Sequence, residues 1–166
     1  MYKIDDVVVY KRTVCRVQDR VKSGFTGEDC YILVPYNDDT GSTRMQVPVS
    51  NKAGHLRDLI TKEELRDLLR NSDKIKTLAD KQANMKSQYV TLLKSDSLDD
   101  LICIIKTSYQ RNKVRRENNK KLAAIDGEYL KKAEDYLFTE MSVATGMSYE
   151  ECRQYFADEL NKLENQ

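Results

Sequence analysis

Through the first fifty or so residues, apolar side chains come at alternate positions in short runs. From about residue 60 onward they recur every third or fourth position. Alternation presses one face of a strand against a core, and the longer spacing does the same for a helix. VVVY (7–10), VCRVQDRVK (14–22), CYILVPY (30–36) and TRMQVPV (43–49) are rich in β-branched and aromatic residues and read as strands. SGFTGED and NDDTG separate the later ones, and Gly41 can supply the positive φ of a tight hairpin. Met45, Val47 and Val49 alternate with Gln46 and Pro48, which gives one buried face. Pro48 has no N–H for a ladder, so this strand belongs at an edge or ends there. Strands this short and this close together predict a small antiparallel β-barrel or bent sheet.

The second half carries the helix signals. Thr61 and Glu64 have capping-box spacing, and Leu65, Leu68 and Leu69 follow on one face. NSDKIKT (71–77) is polar and reads as a connection. Helices are expected over about 79–94, 98–111, 113–122, 125–145 and 149–164, with Ser97 and Ser148 as N-caps before acidic first turns. Leu98, Leu101, Ile102 and Ile105 form one apolar stripe; Leu130, Ala133 and Leu137 form another. The fold class expected is α+β, a β module followed by an all-α helical bundle. Its domains are 1–72 (the sheet with one trailing helix), a linker at 73–78, and a helical domain at 79–166.

Composition narrows the chemistry. The 166 residues are 33% charged and 40% apolar, as in a globular protein. No run is long enough to cross a membrane, and MYKIDDVVVY lacks the basic-then-apolar pattern of a leader, so a cytoplasmic location is expected. Cys15, Cys30, Cys103 and Cys152 are scattered without a Cys-x-x-Cys pair, and His55 is the only histidine. Without a Gly-rich phosphate loop or a nucleophile elbow, neither an enzyme nor a cofactor or metal is expected.

One stretch does suggest a ligand. KTSYQRNKVRRENNKK (106–121) holds seven Lys or Arg and one Glu, although the net charge is only +1. On a helix Lys113, Arg116 and Lys120 would share a face, with Arg115 adjacent; Lys86, Lys131 and Lys132 lie on neighbouring segments. A handful of such cations is enough to hold phosphates, although a charge run is more often a solvated face. Acidic neighbours such as Asp99, Asp100, Glu134 and Asp135 argue against tight independent binding.

The order of motifs resembles the CarD/CdnL family of bacterial transcription regulators, whose first domain also occurs in transcription-repair coupling factors. YKIDDVVVY resembles the family's start, GEDCYILVPY its Gly-x-x-x-x-Tyr-x-x-Leu strand, and MQVPV followed by HLRDL its Val-Pro-Val and Leu-Arg signature. Leu130-x-x-Ala133-x-x-x-Leu137-x-x-Glu140-Met141 is similar to a family helix. The likeness runs from about residue 2 to 160. Two departures stand out. Lys11-Arg12-Thr13 form a shorter loop than the family's, and Met85, four residues before Tyr89, stands where many members have Trp.

The resemblance implies a Tudor-like first domain that adds its sheet edge to the β subunit of RNA polymerase, with Lys22, Arg44, Gln46 and Pro48 as contact residues. It also implies a helical domain that touches promoter DNA at the upstream edge of the melted region, weakly and without reading sequence. Met85, Lys86, Lys113, Arg115, Arg116, Lys120, Lys131 and Lys132 are the residues expected there. Met85 would act as an apolar wedge at a base step, while Tyr89 and Tyr109 are expected in the core. The outcome would be altered open-complex stability, by a monomer with no cofactor. A protein–protein adaptor using only the β domain is the alternative. An RNA-binding barrel using Tyr10, Tyr31 and Tyr36 ranks last.

Overall fold

Five strands make up the first unit, Met1–Leu59. In this computed structural model, which describes residues 1–38, 40–78 and 84–164, they are β1 (Val7–Tyr10), β2 (Thr13–Lys22), β3 (Asp29–Pro35), β4 (Met45–Pro48) and β5 (Leu56–Asp58). All neighbours are antiparallel, in the order β4-β3-β2-β1-β5. The sheet is open with β4 and β5 as its edges, which corrects the barrel alternative. One face buries Val8, Cys15, Val17, Tyr31, Leu33, Val47 and Leu56 in a common cluster, as alternation predicts. The register skips Gln18 between Val17 and Asp19, a bulge that bends β2. Lys11 and Arg12 close the β1–β2 hairpin with φ of +45° and +74°, the two-residue turn whose twist suits a hairpin. β5 carries too few residues for an alternating pattern and was not evident in the sequence.

The second unit, Ile60–Gln166, holds α1 (Lys62–Arg70), a 3₁₀ turn at Ser72–Lys74, α2 (Met85–Lys94), α3 (Leu98–Glu117), α4 (Ala124–Thr145) and α5 (Tyr149–Glu164). Its apolar cluster draws on all five helices, including Leu65 and Leu69 of α1. The trailing helix expected in the β domain therefore belongs here, and the division falls after Leu59, not after residue 72. The predicted start of α2, residues 79–83, lies outside the described residues, as does Asp39 of the β3–β4 turn.

Capping follows the sequence in two places of three. Thr61 and Glu64 exchange both bonds of a capping box, and Ser148 and Glu151 do the same at 3.1 Å each. Ser97 makes no side-chain cap bond.

The expected linker is fastened along α3. Lys106 Nζ donates to the carbonyls of Ser72 (2.8 Å) and Ile75 (2.7 Å), and Leu78 N–H donates to Thr107 Oγ1 at 2.9 Å. Nor does α3 break near residue 112, where two helices were expected. It ends at Glu117, where Asn119 adopts φ +55°. Asn119 N–H then bonds Arg116 O (3.1 Å) and Lys120 N–H bonds Arg115 O (2.8 Å), the paired bonds of a Schellman ending.

A polar knot anchors the core. Asp126 is fully buried; it accepts from Tyr89 Oη at 2.7 Å and from Arg111 Nε at 3.0 and 3.2 Å. A buried carboxylate needs this pairing, because leaving it alone would cost several kcal/mol. Burial first, and then the bond to Asp126, hold the Tyr89 hydroxyl well above its ordinary pKa.

Candidate functional site

The sheet has two edges, and they are finished differently. Along β4 the register sets Val47 against Tyr31 and Met45 against Leu33, and Val49 N–H donates to Asp29 O at 2.9 Å. Bonded pairs alternate along an antiparallel ladder, so Met45, Val47 and Val49 turn their backbone groups inward to β3. Gln46 and Pro48 turn theirs outward. Pro48 has no N–H, and its carbonyl accepts from Asn51 N–H at 3.1 Å. Gln46 presents both an N–H and a C=O, and no described residue pairs with either.

β5 obeys the same alternation. Lys11 N–H donates to His55 O at 3.3 Å, which turns Arg57 inward to Val9 and leaves Leu56 and Asp58 facing out. Here the chain satisfies its own edge. Asn51 Nδ2 donates to Leu56 O at 2.8 Å, and Asn51 Oδ1 accepts from Leu56 N–H at 3.1 Å. A side-chain amide thus stands where the next strand would pair. Asn51 reaches this position at φ +51°, a region Asn enters more readily than most residues. Asp58 O accepts from Arg57 Nη1 at 3.1 Å, and the Asp58 carboxylate accepts from Tyr2 Oη at 2.7 Å. Burial and that bond push the Tyr2 pKa up to about 12.

Of the residues expected at the edge, Gln46 and Pro48 lie on β4, exposed, and Arg44 stands exposed just before it. Lys22 does not lie on the adjoining strand. It ends β2 opposite Asp29, with β3 between it and β4.

The basic stretch divides between two sides of α3. Tyr109, Lys113 and Arg116 follow i, i+4, i+7 spacing and are all exposed. Tyr109, expected in the core, is 61% exposed. Arg111 and Arg115 lie on another side, where with Lys120 they line an open cleft of about 420 Å³ beside Thr77 and Leu78. Lys120 is off the helix and cannot share the face of Lys113 and Arg116, which corrects that grouping. Lys86, Lys131 and Lys132 are exposed on α2 and α4 and do not line the cleft. Lys132 pairs with Glu128 at 3.2 Å and lies over the Tyr129 ring.

Met85 needs the sharpest correction. It is 2% exposed and packs in the helical core with Tyr89, so its side chain cannot reach a base step while α2 stays packed. A Met at a helix start packs as readily inward as outward, and only the neighbouring helices decide which.

The remaining chemistry is quiet. All four cysteines are buried and unpaired, and desolvation pushes the Cys15 thiol up to about 11. Among the described residues no three His, Cys, Asp or Glu side chains cluster as metal ligands, and no helix is long and apolar enough to cross a membrane. Two important residues were not anticipated. Asn51 gave only a weak signal, an Asn in the turn-rich SNKAG. Arg111, counted among the cations of the basic stretch, is the partner of Asp126. No protein-family model matches the chain, and no curated protein does.

Proposed function

We propose that the protein is a bacterial transcription regulator of the CarD/CdnL kind. It docks β4 on the β subunit of RNA polymerase by strand addition and brings the helical unit to promoter DNA near the upstream edge of the melted region, altering open-complex stability. The observation that carries this reading is the outward Gln46 N–H and C=O on an edge flanked by exposed Arg44. An added strand gains ladder bonds there, each worth about 0.5–1.5 kcal/mol net. Tyr109, Lys113 and Arg116 support the DNA half, because two cations beside an exposed ring suit phosphate contacts that position without reading sequence. Tethering to polymerase would supply the local concentration that so small a patch needs.

The burial of Met85 favours a second reading, an adaptor that uses the β4 edge alone. The two separate in one experiment. The immobilised full chain is offered purified bacterial RNA polymerase with promoter DNA carrying a photocrosslinker at the upstream edge. The regulator reading expects polymerase retention with a crosslink that disappears in the double variant Lys113→Glu/Arg116→Glu. Retention with no crosslink at all selects the adaptor, and absence of retention sinks both.

A further inference from the structure

The cleft at the C-terminal end of α3 has the makings of a site for a small ligand. Its volume of about 420 Å³ falls in the range of small-molecule clefts, about 300–1,000 Å³. Among the described residues three cations, Arg111, Arg115 and Lys120, line it, and no carboxylate does. Arg111 is held rigidly, since its side chain is only 9% exposed and its Nε is fixed on buried Asp126. That pairing offsets its charge, so the net positive field comes from Arg115 and Lys120. Gln110 and Asn118 add polar groups, and Leu78 and Val114 give an apolar wall against which a flat or carbon-rich portion can lie.

The backbone brings the two net cations together. Without the reversal at Asn119, the chain would carry Lys120 on along the helix, toward the side of Lys113 and Arg116. The left-handed Asn119 folds it back onto Arg115 through the 2.8 Å bond between Lys120 N–H and Arg115 O. Arginine with a rigid fork and a neighbouring lysine suits a phosphate group better than a single carboxylate.

We propose that this cleft binds a small phosphate ester of about nucleotide size. The site goes beyond the polymerase reading and does not depend on it. Nucleic-acid backbone offers the same phosphate chemistry, so the test includes both sources. Calorimetric titrations of the full chain are run with ADP, with inorganic pyrophosphate and with a short DNA duplex. ADP and pyrophosphate are expected to bind saturably. Arg115→Glu should weaken both about tenfold or more, the loss expected for a charge-assisted contact.

A charge-neutral pair of variants tests the geometry. Asn119→Val cannot hold φ +55° comfortably and should weaken binding as Arg115→Glu does, whereas Asn119→Gly keeps the turn and should bind as wild type. Lys113→Glu, on the other side of α3, should leave ADP binding within about twofold, since an exposed charge outside the site is largely screened. Far-ultraviolet circular dichroism checks that each variant retains its helices. Absence of ADP and pyrophosphate binding overturns the proposal. So does equal weakening by Lys113→Glu and Arg115→Glu, or binding of the duplex alone, which would make the cleft part of a diffuse nucleic-acid surface. Polymerase retention by the same variants is measured separately, so a failure here leaves the edge reading untouched.

Discussion

β4 and β5 border the same sheet, carry the same alternation of inward and outward backbone groups, and end in different chemistry. At β5 the Asn51 amide both donates to and accepts from Leu56, and Tyr2 and Arg57 engage Asp58. At β4 the outward groups of Gln46 meet no described residue. Unpaired edges invite association with other strands, and natural sheets usually blunt them. A chain that closes one edge with a dedicated side chain and leaves the other open has an asymmetry in which one side alone is fit for a partner. Proline at 48 adds to this, since it stops any added ladder at that end and leaves Gln46 and Arg44 to set its register.

Breaking the closed edge should have the largest effect. Asn51→Ala removes two hydrogen bonds to Leu56 and places Ala at φ +51°, which together cost about 3 kcal/mol. For a unit of this size the melting temperature should fall by about 10 °C or more. Sedimentation should also reveal concentration-dependent association through the newly bare β5 edge. Asn51→Gly, which keeps the backbone conformation but not the amide, should lose about two thirds of that stability and associate just as readily. A variant that melts lower but associates no more than wild type would show that Asn51 supports the turn without guarding the edge.

Gln46→Pro tests the open edge from the other direction. The N–H it deletes is outside the β3–β4 ladder, and the preceding Met45 is already in a strand, so the fold should tolerate it within about 1 kcal/mol. Strand addition loses a donor and gains a steric block, and retention of RNA polymerase should weaken at least about tenfold. Unchanged retention would mean that the partner does not use this edge. Arg44→Glu leaves the ladder intact and alters only an exposed charge beside it. A few-fold loss of affinity is expected, within the range of an exposed ion pair, and it should fade as salt rises.

Much of this contrast could be read from the chain, and its decisive half could not. Met45, Val47 and Val49 against Gln46 and Pro48 marked β4 as an edge strand with one buried face, because a period of two and a missing N–H are local properties. Closure of β5 depends on Asn51 reaching across to Leu56, which no periodicity records. The same limit explains the helical half. The apolar stripes located α4 and α5 to within a residue, yet nothing in Leu65 and Leu69 said which core they join. The break expected near residue 112 falls in a run where Thr107, Ser108, Arg111 and Asn112 are polar. They are nevertheless buried or nearly so, bonded to Leu78 of the expected linker, to their own helix or to Asp126, and the Asn112 side-chain carbonyl has no partner among the described residues. Periodicity reads polar residues as exposed, and here a polar stripe lies against the protein's own backbone. Met85 shows the converse, an apolar residue whose direction is set by packing alone.

The smallest expected effect lies at the far end of the closed edge. Tyr2 Oη donates to Asp58 at 2.7 Å, and its pKa rises from 10.0 to about 12 on folding. The folded state therefore holds this proton more tightly than the unfolded chain. The stabilisation is complete below the unfolded value, declines as the pH passes 10, and is gone above about 12. Tyr2→Phe removes the hydroxyl and with it this pH dependence. Its melting temperature should lie slightly below wild type at neutral pH, and the gap should close through the window from 10 to 12. The comparison must be made as a difference between the two proteins, since the raised pKa values of Tyr89 and Tyr149 add alkaline sensitivity common to both. Equal melting temperatures at every pH would show that Tyr2 contributes only by packing edge-on against Tyr31, which Phe retains, and that Asp58 is held at the edge without it.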